Sequence, residues 1–173
     1  TDLAPISLVA TSPNVLVLGA ALNLNSTAEF VQYARNRPNT LNYGSVGAGS
    51  AAHLAMELFK QKAGLELLHV PYASFPQITT AILAGDIQAA FMVPAIAMSQ
   101  AKVGKLKVVG VTSLLASAAL PGVIPLAAQG FEGFEAISWH AVLAPAGTAP
   151  AILLRLQQVL TEILATPDIQ DKF

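Results

Sequence analysis

Between Tyr43 and Leu54 the chain reads YGSVGAGSAAHL, with glycine at 44, 47 and 49 and serine at 45 and 50. Residues this small, set between an apolar run and the start of an amphipathic one, leave backbone N–H groups and hydroxyls unobstructed. Where such a loop feeds a helix, its N–H groups point outward at the positive end of the helix dipole, which is chemistry for holding an anion. The donors would come from Ser45, Val46, Gly47, Gly49, Ser50 and Ala51. A plain turn that needs glycine for its φ angles accounts for the same residues, and composition alone leaves both readings open. A second stretch of the same kind, Tyr72-Ala73-Ser74-Phe75, again follows an apolar run and precedes a helical one.

Other chemistries fit less well. Residues 47–52, GAGSAA, match the dinucleotide pattern G-x-G-x-x-A, so a nucleotide-binding α/β enzyme domain using the Gly47–Gly49 loop is the alternative reading. That fold needs an acidic residue about 20 positions on, at the far end of the next strand, to hold the ribose. Glu66 has the spacing but stands at the start of that strand, and its end, Val70-Pro71-Tyr72, carries no acid. No lysine follows the loop until Lys60, which excludes a P-loop, and Ser50 lacks the G-x-S-x-G elbow of a nucleophilic serine. His53 lies on the same helical turn as Ser50, while His69 and His140 sit in apolar strands; all three read as structural histidines. Their spacing suits no metal, and the absence of cysteine removes thiolate sites, disulfides and thiol catalysis. The sequence therefore assigns no catalytic residue, no cofactor and no metal.

The elements that would position the loops follow from periodicity. Of 173 residues, 54% are hydrophobic and only 11% charged, which suits strands buried on both faces, as in α/β folds. Every apolar run is broken well short of the roughly 18 residues a membrane span needs, so no membrane insertion is expected. A net charge of −1 without a basic cluster argues against nucleic acid. Strands are expected at 15–18, 41–45, 67–72, 87–93 and 106–111. Helices are expected from Ser26, capped with Glu29 at its third position, from about Ser50 to Lys62 with Gly64 closing it, over 77–83 before Gly85, and up to about Val103. This alternation predicts a parallel sheet, with both small-residue loops on its C-terminal edge. After a Pro/Gly-rich stretch a strand is expected at 137–143, then an amphipathic helix over 149–164 capped by Thr148. The chain opens on Thr1-Asp2-Leu3 with no leader sequence, which reads as a removed leader or a partial chain.

In order along the chain, NYGSVGAGSAAHLAMELFKQKAG, HVPY, ILAGDIQAAF, GKLKVVGVTS, LPGV and GFEGFEAISWHAVLAPAGTAP resemble the Bug family, the periplasmic solute receptors of tripartite tricarboxylate transport systems. The resemblance runs from APISLVAT at residue 4 to the end. It implies a type II periplasmic-binding-protein fold: an α/β lobe with a mainly parallel sheet flanked by helices, plus part of a second lobe. Residues 1–11 would end a crossing segment from domain 1, residues 12–134 would form domain 2, and residues 135–173 would return to a partial domain 1 whose N-terminal portion is absent. It further implies a periplasmic receptor without catalytic activity that closes on a small carboxylate and passes it to a membrane permease. The family's carboxylate loop matches Ser45, Gly47, Gly49 and Ser50. After VPY the family carries a basic residue and small glycine-like positions, whereas Ala73-Ser74-Phe75-Pro76 stands here. After AAF many members carry a polar residue that can meet a ligand ammonium, and Met92-Val93 stands here instead. Phe75 and Met92 would thus form an apolar wall, with Tyr72 and Ser74 beside them, for a dicarboxylate or an aromatic acid rather than an amino acid.

Overall fold

The computed structural model describes residues 2–170. They divide into two compact units: one built from the two chain ends, up to Ser12 and from Ser138 onward, and one formed by Pro13–Ile137.

The unit Pro13–Ile137 holds a five-stranded sheet. Its strands are β2 (Val15–Gly19), β3 (Leu41–Ser45), β4 (Leu67–Pro71), β5 (Ala89–Met92) and β6 (Leu106–Val111), in the order β4-β3-β5-β2-β6. β3 pairs parallel with β4 and β5, while β2 pairs antiparallel with β5 and β6. Four strands thus share one direction and β2 alone is reversed, a departure from the uniformly parallel order that the alternation suggests. The reason is local: the other strands are each reached through a helix, but β2 receives the chain directly from β1 (Leu3–Pro13) across Asn14, so no crossover fixes its direction.

Helices cover both faces. α1 (Thr27–Arg35) and α2 (Ala51–Ala63) cover one; α3 (Phe75–Ala84) and α4 (Pro94–Lys102) cover the other. Successive strand residues serve opposite layers: Leu16, Leu18, Tyr43 and Phe91 pack with α1 and α2, and Val15, Val17, Ala90 and Met92 with α3 and α4. Burial on both sides explains why β2 is an unbroken apolar run with no exposed residue. Ser26 caps α1, accepting from the Glu29 N–H at 3.2 Å. The Glu29 carboxylate returns to the N–H of Asn25, one residue before the cap itself. Gly64 and Gly85 close α2 and α3 in the left-handed conformation, at φ 63° and 84°.

The unit of chain ends pairs β1 with β7 (Ile137–Pro145) and carries α5 (Pro150–Leu164) and α6 (Pro167–Gln170). Thr148 does not cap α5: the cap position is Ala149, Pro150 takes the first turn, and the Thr148 hydroxyl donates back to the Pro145 carbonyl at 2.8 Å. The helix is amphipathic but buries none of its side chains; Ile152, Leu154 and Ile163 are all exposed.

Candidate functional site

The two small-residue loops share one edge of the five-stranded sheet. β3 ends there at Ser45, β4 at Pro71, β5 at Met92 and β6 at Val111, and the reversed β2 begins there, Val15 lying opposite both Met92 and Val111. Among the residues of this edge, Asn14, Ser45 to Ala51, Tyr72 to Phe75, Met92, Val93 and Thr112, none is charged.

The loop Ser45–Ser50 is built by backbone. Gly47 and Gly49 sit at φ 114° and 79°, and a Cβ on either would meet nothing within 4 Å, so conformation rather than crowding selects glycine. The Ser50 N–H closes the turn on the Gly47 carbonyl at 3.2 Å. Ser50 then caps α2, its Oγ accepting from the His53 N–H at 3.2 Å, which leaves its hydroxyl proton to donate elsewhere. Ala51 and Ala52 occupy the first turn of α2, where N–H groups have no intrahelical acceptor. The edge therefore offers outward-facing N–H groups at the positive end of a thirteen-residue helix.

Ser45 is fully buried. Its Oγ accepts from the Gly47 N–H at 3.2 Å, lies 3.1 Å from the Gly47 carbonyl, and is 2.7 Å from His69 Nε2. One hydroxyl proton and two lone pairs meet all three neighbours when His69 carries its proton on Nε2. The hydroxyl thus sets the shape of the loop from beneath. Met92, expected in an apolar wall, is also fully buried. It packs with Val15, Ile78 and Ala97 in the α3–α4 layer, opposite the layer that holds Tyr43 and α2. Alternation along β5 sends Phe91 and Met92 to different layers, and neither side chain is exposed at the edge.

The second loop is partly committed. The Tyr72 N–H bonds to the Ser45 carbonyl at 2.9 Å and ties the two loops together, and the Ala73 N–H bonds to Gln77 Oε1 at 3.0 Å. Ser74 stands at the cap position of α3 without a side-chain cap bond, and Phe75, half-buried, packs against the α3–α4 layer with Tyr72 and Val46. Burial, with the charge of Asp86, pushes the Tyr72 hydroxyl above its ordinary range.

Residues of this edge and the ground behind it carry contacts that the sequence reading does not assign. Asn14 is 3% exposed; its N–H donates to Thr112 Oγ1 at 2.8 Å and its carbonyl accepts from the Thr112 N–H at 2.9 Å, while its side-chain Nδ2 has no partner among the described residues. The signal was available: a polar residue directly before an all-buried strand must face an edge. His53 and His69 lie behind the loop with ring centroids 4.4 Å apart, and His53 Nδ1 accepts the Gly49 N–H at 3.2 Å. Tyr43 stacks on His69 at 4.9 Å and donates to Glu57, which also receives Lys60 at 2.7 Å. Burial would raise the Glu57 carboxyl, but the hydrogen bonds from Lys60 and Tyr43 and the charges of Lys60 and His53 outweigh it and hold it below the usual range. Burial and the neighbouring His53 lower His69. Burial and Glu57 push the Tyr43 hydroxyl up.

Both depressed groups bind protons less readily in the folded chain than in the unfolded one, so each favours folding at neutral pH and loses that contribution on acidification. We expect stability in urea to fall first as the pH drops below 6.5, the ordinary His69 value, and again below 4.5, that of Glu57. The first step should vanish in His69→Gln and the second in Glu57→Gln; a wild-type curve flat from pH 7 to 4 would refute the assignment.

Among the described residues no group of three or more His, Asp or Glu side chains could hold a metal ion. Glu66 precedes β4, at the opposite end of that strand from the loops, so no acid stands where a ribose would need one.

The arrangement matches known proteins along its whole length. Residues 1–173 match the tripartite tricarboxylate transporter family receptor, TctC. The UPF0065 protein in the tcbD-tcbE intergenic region of Pseudomonas sp. strain P51 is 33% identical over 171 residues, 97% of this chain and 50% of its own length. In structure, Rpa4515 of R. palustris, solved with adipate, superposes with a TM-score of 0.87 at 30% identity, over 99% of this chain and 57% of its own. The periplasmic binding protein BugD superposes at 0.83 and 27% identity, over 98% and 56% respectively. The chain spans about half the length of the curated relatives it matches. An uncharged backbone loop at a helix start, on the open edge of a mainly parallel sheet, is thus found here within the periplasmic-binding-protein fold, and the chain belongs to the tripartite tricarboxylate transporter receptor family, whose members bind solutes and are not enzymes.

Proposed function

We propose that this chain captures a small carboxylate in the periplasm and presents it to the membrane permease of a tripartite tricarboxylate transporter. Pro13–Ile137 acts as the second lobe of the receptor and the two chain ends contribute to the first. The observation that carries the reading is the loop itself: N–H groups of Ala51 and Ala52 and the Ser50 hydroxyl at the start of α2, with Gly47 and Gly49 shaping the turn before them and no lysine or arginine at the edge. Such a site holds a carboxylate by hydrogen bonds and helix dipole and still releases it. The adipate in Rpa4515 supports the same ligand class. Ser45 serves the site by shaping the loop, and Tyr72, Ser74 and Phe75 border it, Phe75 as the apolar side.

The ligand favoured is a dicarboxylate or an aromatic acid. An amino acid brings an ammonium, and this edge has no carboxylate to receive it; a charge desolvated without a partner costs several kcal/mol. In a thermal-shift and calorimetric screen, adipate, succinate, glutarate and benzoate are expected to stabilise the protein, with aspartate, glutamate and NAD silent. A ligand at 100 times its Kd adds about 2.7 kcal/mol, a shift of several degrees at this size. Tighter binding of aspartate than of succinate would sink the specificity, and an NAD response would sink the receptor reading.

A further inference from the structure

We infer that His53 and His69 are positioning residues of the anion loop, and that protonation of His53 hands the Gly49 N–H from the imidazole to a bound carboxylate. The inference rests on the carboxylate reading above for its second half only.

The two histidines grip the loop from different elements. His53, on the first turn of α2, accepts the Gly49 N–H on Nδ1 at 3.2 Å, a bond that exists only while Nδ1 is unprotonated. His69, on β4, reaches Ser45 Oγ with Nε2 at 2.7 Å, and that same oxygen receives the Gly47 N–H. One glycine N–H on each side of Ala48 is therefore held by an imidazole, directly or through a serine. In this state Gly49 is spent inward and cannot serve an anion. A proton on Nδ1 breaks the bond: two donors then face each other, the Gly49 N–H is released, and a positive charge stands directly behind the loop.

The groups that face the pair limit it to one charge. With ring centroids 4.4 Å apart, the imidazolium of His53 opposes a second on His69, which burial already disfavours. From β3, Tyr43 covers both rings, at 6.3 Å from His53 and 4.9 Å from His69, and carries no charge because its hydroxyl is held protonated against Glu57. From α2, the Glu57 carboxylate favours a proton on the pair and Lys60 opposes it, and these two are joined at 2.7 Å, so their effects largely cancel. His53 is the member whose Nδ1 holds a backbone N–H directly, so a proton there is the one that frees a donor. Because anion and proton then favour each other, ligand binding takes up a proton and the affinity for a carboxylate rises on acidification.

The test separates the loop from the ligand. In the ligand-free protein, the Gly49 amide resonance is expected to move with pH at the midpoint of the His53 ring, and to lose that movement in His53→Asn, whose side-chain oxygen accepts the same N–H without titrating. A Gly49 resonance that stays flat while His53 titrates overturns the inference whatever the protein binds. With adipate as probe, calorimetry at pH 8 and pH 6 should show affinity rising about three- to tenfold in the wild type, with proton uptake, and nearly unchanged in His53→Asn. Equal wild-type affinity at both pH values overturns the hand-over. If no carboxylate binds at all, the proposed function fails, and the Gly49 titration alone decides the positioning role. His69→Gln, which keeps a donor near Ser45, should retain the pH response; its loss there would place the titrating group on His69 and refute the assignment to His53.

Discussion

Phe59→Ala is expected to destabilise the protein by about 3–5 kcal/mol, the cost typical of deleting a fully buried phenylalanine. Phe59 has no exposed surface and sits at the centre of the layer under α1 and α2. Its ring meets Phe91 of β5 edge-on at 6.2 Å, Phe131 at 5.0 Å and Phe134 at 6.3 Å. It thus joins the helix that begins at the anion loop to the sheet and to the segment that closes the unit. The neighbours cannot collapse into the vacancy, because Phe91 is fixed by the ladder of β5 and Phe134 by its N–H bond to the Phe131 carbonyl at 2.8 Å. At this chain length the loss corresponds to a fall of roughly 6–20 °C in melting temperature. Leu68→Ala is the control: this leucine is 63% exposed, and its removal should change stability by no more than about 0.5 kcal/mol. A Phe59→Ala protein within 1 kcal/mol of wild type would show that the layer is not packed as described.

The second large effect falls on binding. Gly47→Ala should weaken carboxylate binding about 10- to 100-fold while leaving the folded sheet intact. At φ 114° an L residue is strained by on the order of 1–3 kcal/mol, even though the Cβ itself meets no atom. The loop relieves the strain by turning, which shifts Ser50 and the first N–H groups of α2, just beyond it, away from the ligand. That also breaks the bond from the Gly47 N–H to Ser45 Oγ, so the grip of His69 on the loop is lost with it. A hundredfold loss corresponds to about 2.7 kcal/mol, within reach of one or two charge-assisted hydrogen bonds. Ala48→Ser, one residue on and exposed, should bind as wild type does. Full affinity in Gly47→Ala, measured by calorimetry with adipate, would place the ligand elsewhere.

Much of this was legible in the residues. β3 and β6 run over Leu41–Ser45 and Leu106–Val111, as read from their apolar runs, because each ends in small or polar residues that cannot continue a buried strand. α2 ends at Gly64 because only a left-handed residue turns the chain there. Four features were hidden, each for a physical reason. The reversal of β2 is a property of its partners Met92 and Val111, and no local periodicity carries direction. Met92 looked like a wall because an apolar residue at a strand end faces either an edge or a layer, and the pattern AAFM, buried on both sides, does not say which. Ser45 looked like a ligand donor; the hydroxyl is instead spent on His69, a neighbour only because β3 and β4 are adjacent and in register. The histidines read as structural, and they are built into the loop, but what they hold is visible only when α2, β3 and β4 are assembled around Tyr43.

Thr112 carries a consequence of a different sort. Its hydroxyl and N–H bind Asn14, where the chain enters the five-stranded unit, and its carbonyl accepts the N–H of Ala136 at 3.0 Å, where the chain leaves. One residue therefore staples the two ends of Pro13–Ile137 side by side. A segment whose ends meet can be lifted from one gene and set into a surface loop of another without stretching its host. This unit is shaped like a cassette, able to have been inherited, exchanged or duplicated as a piece independently of the sequence that flanks it.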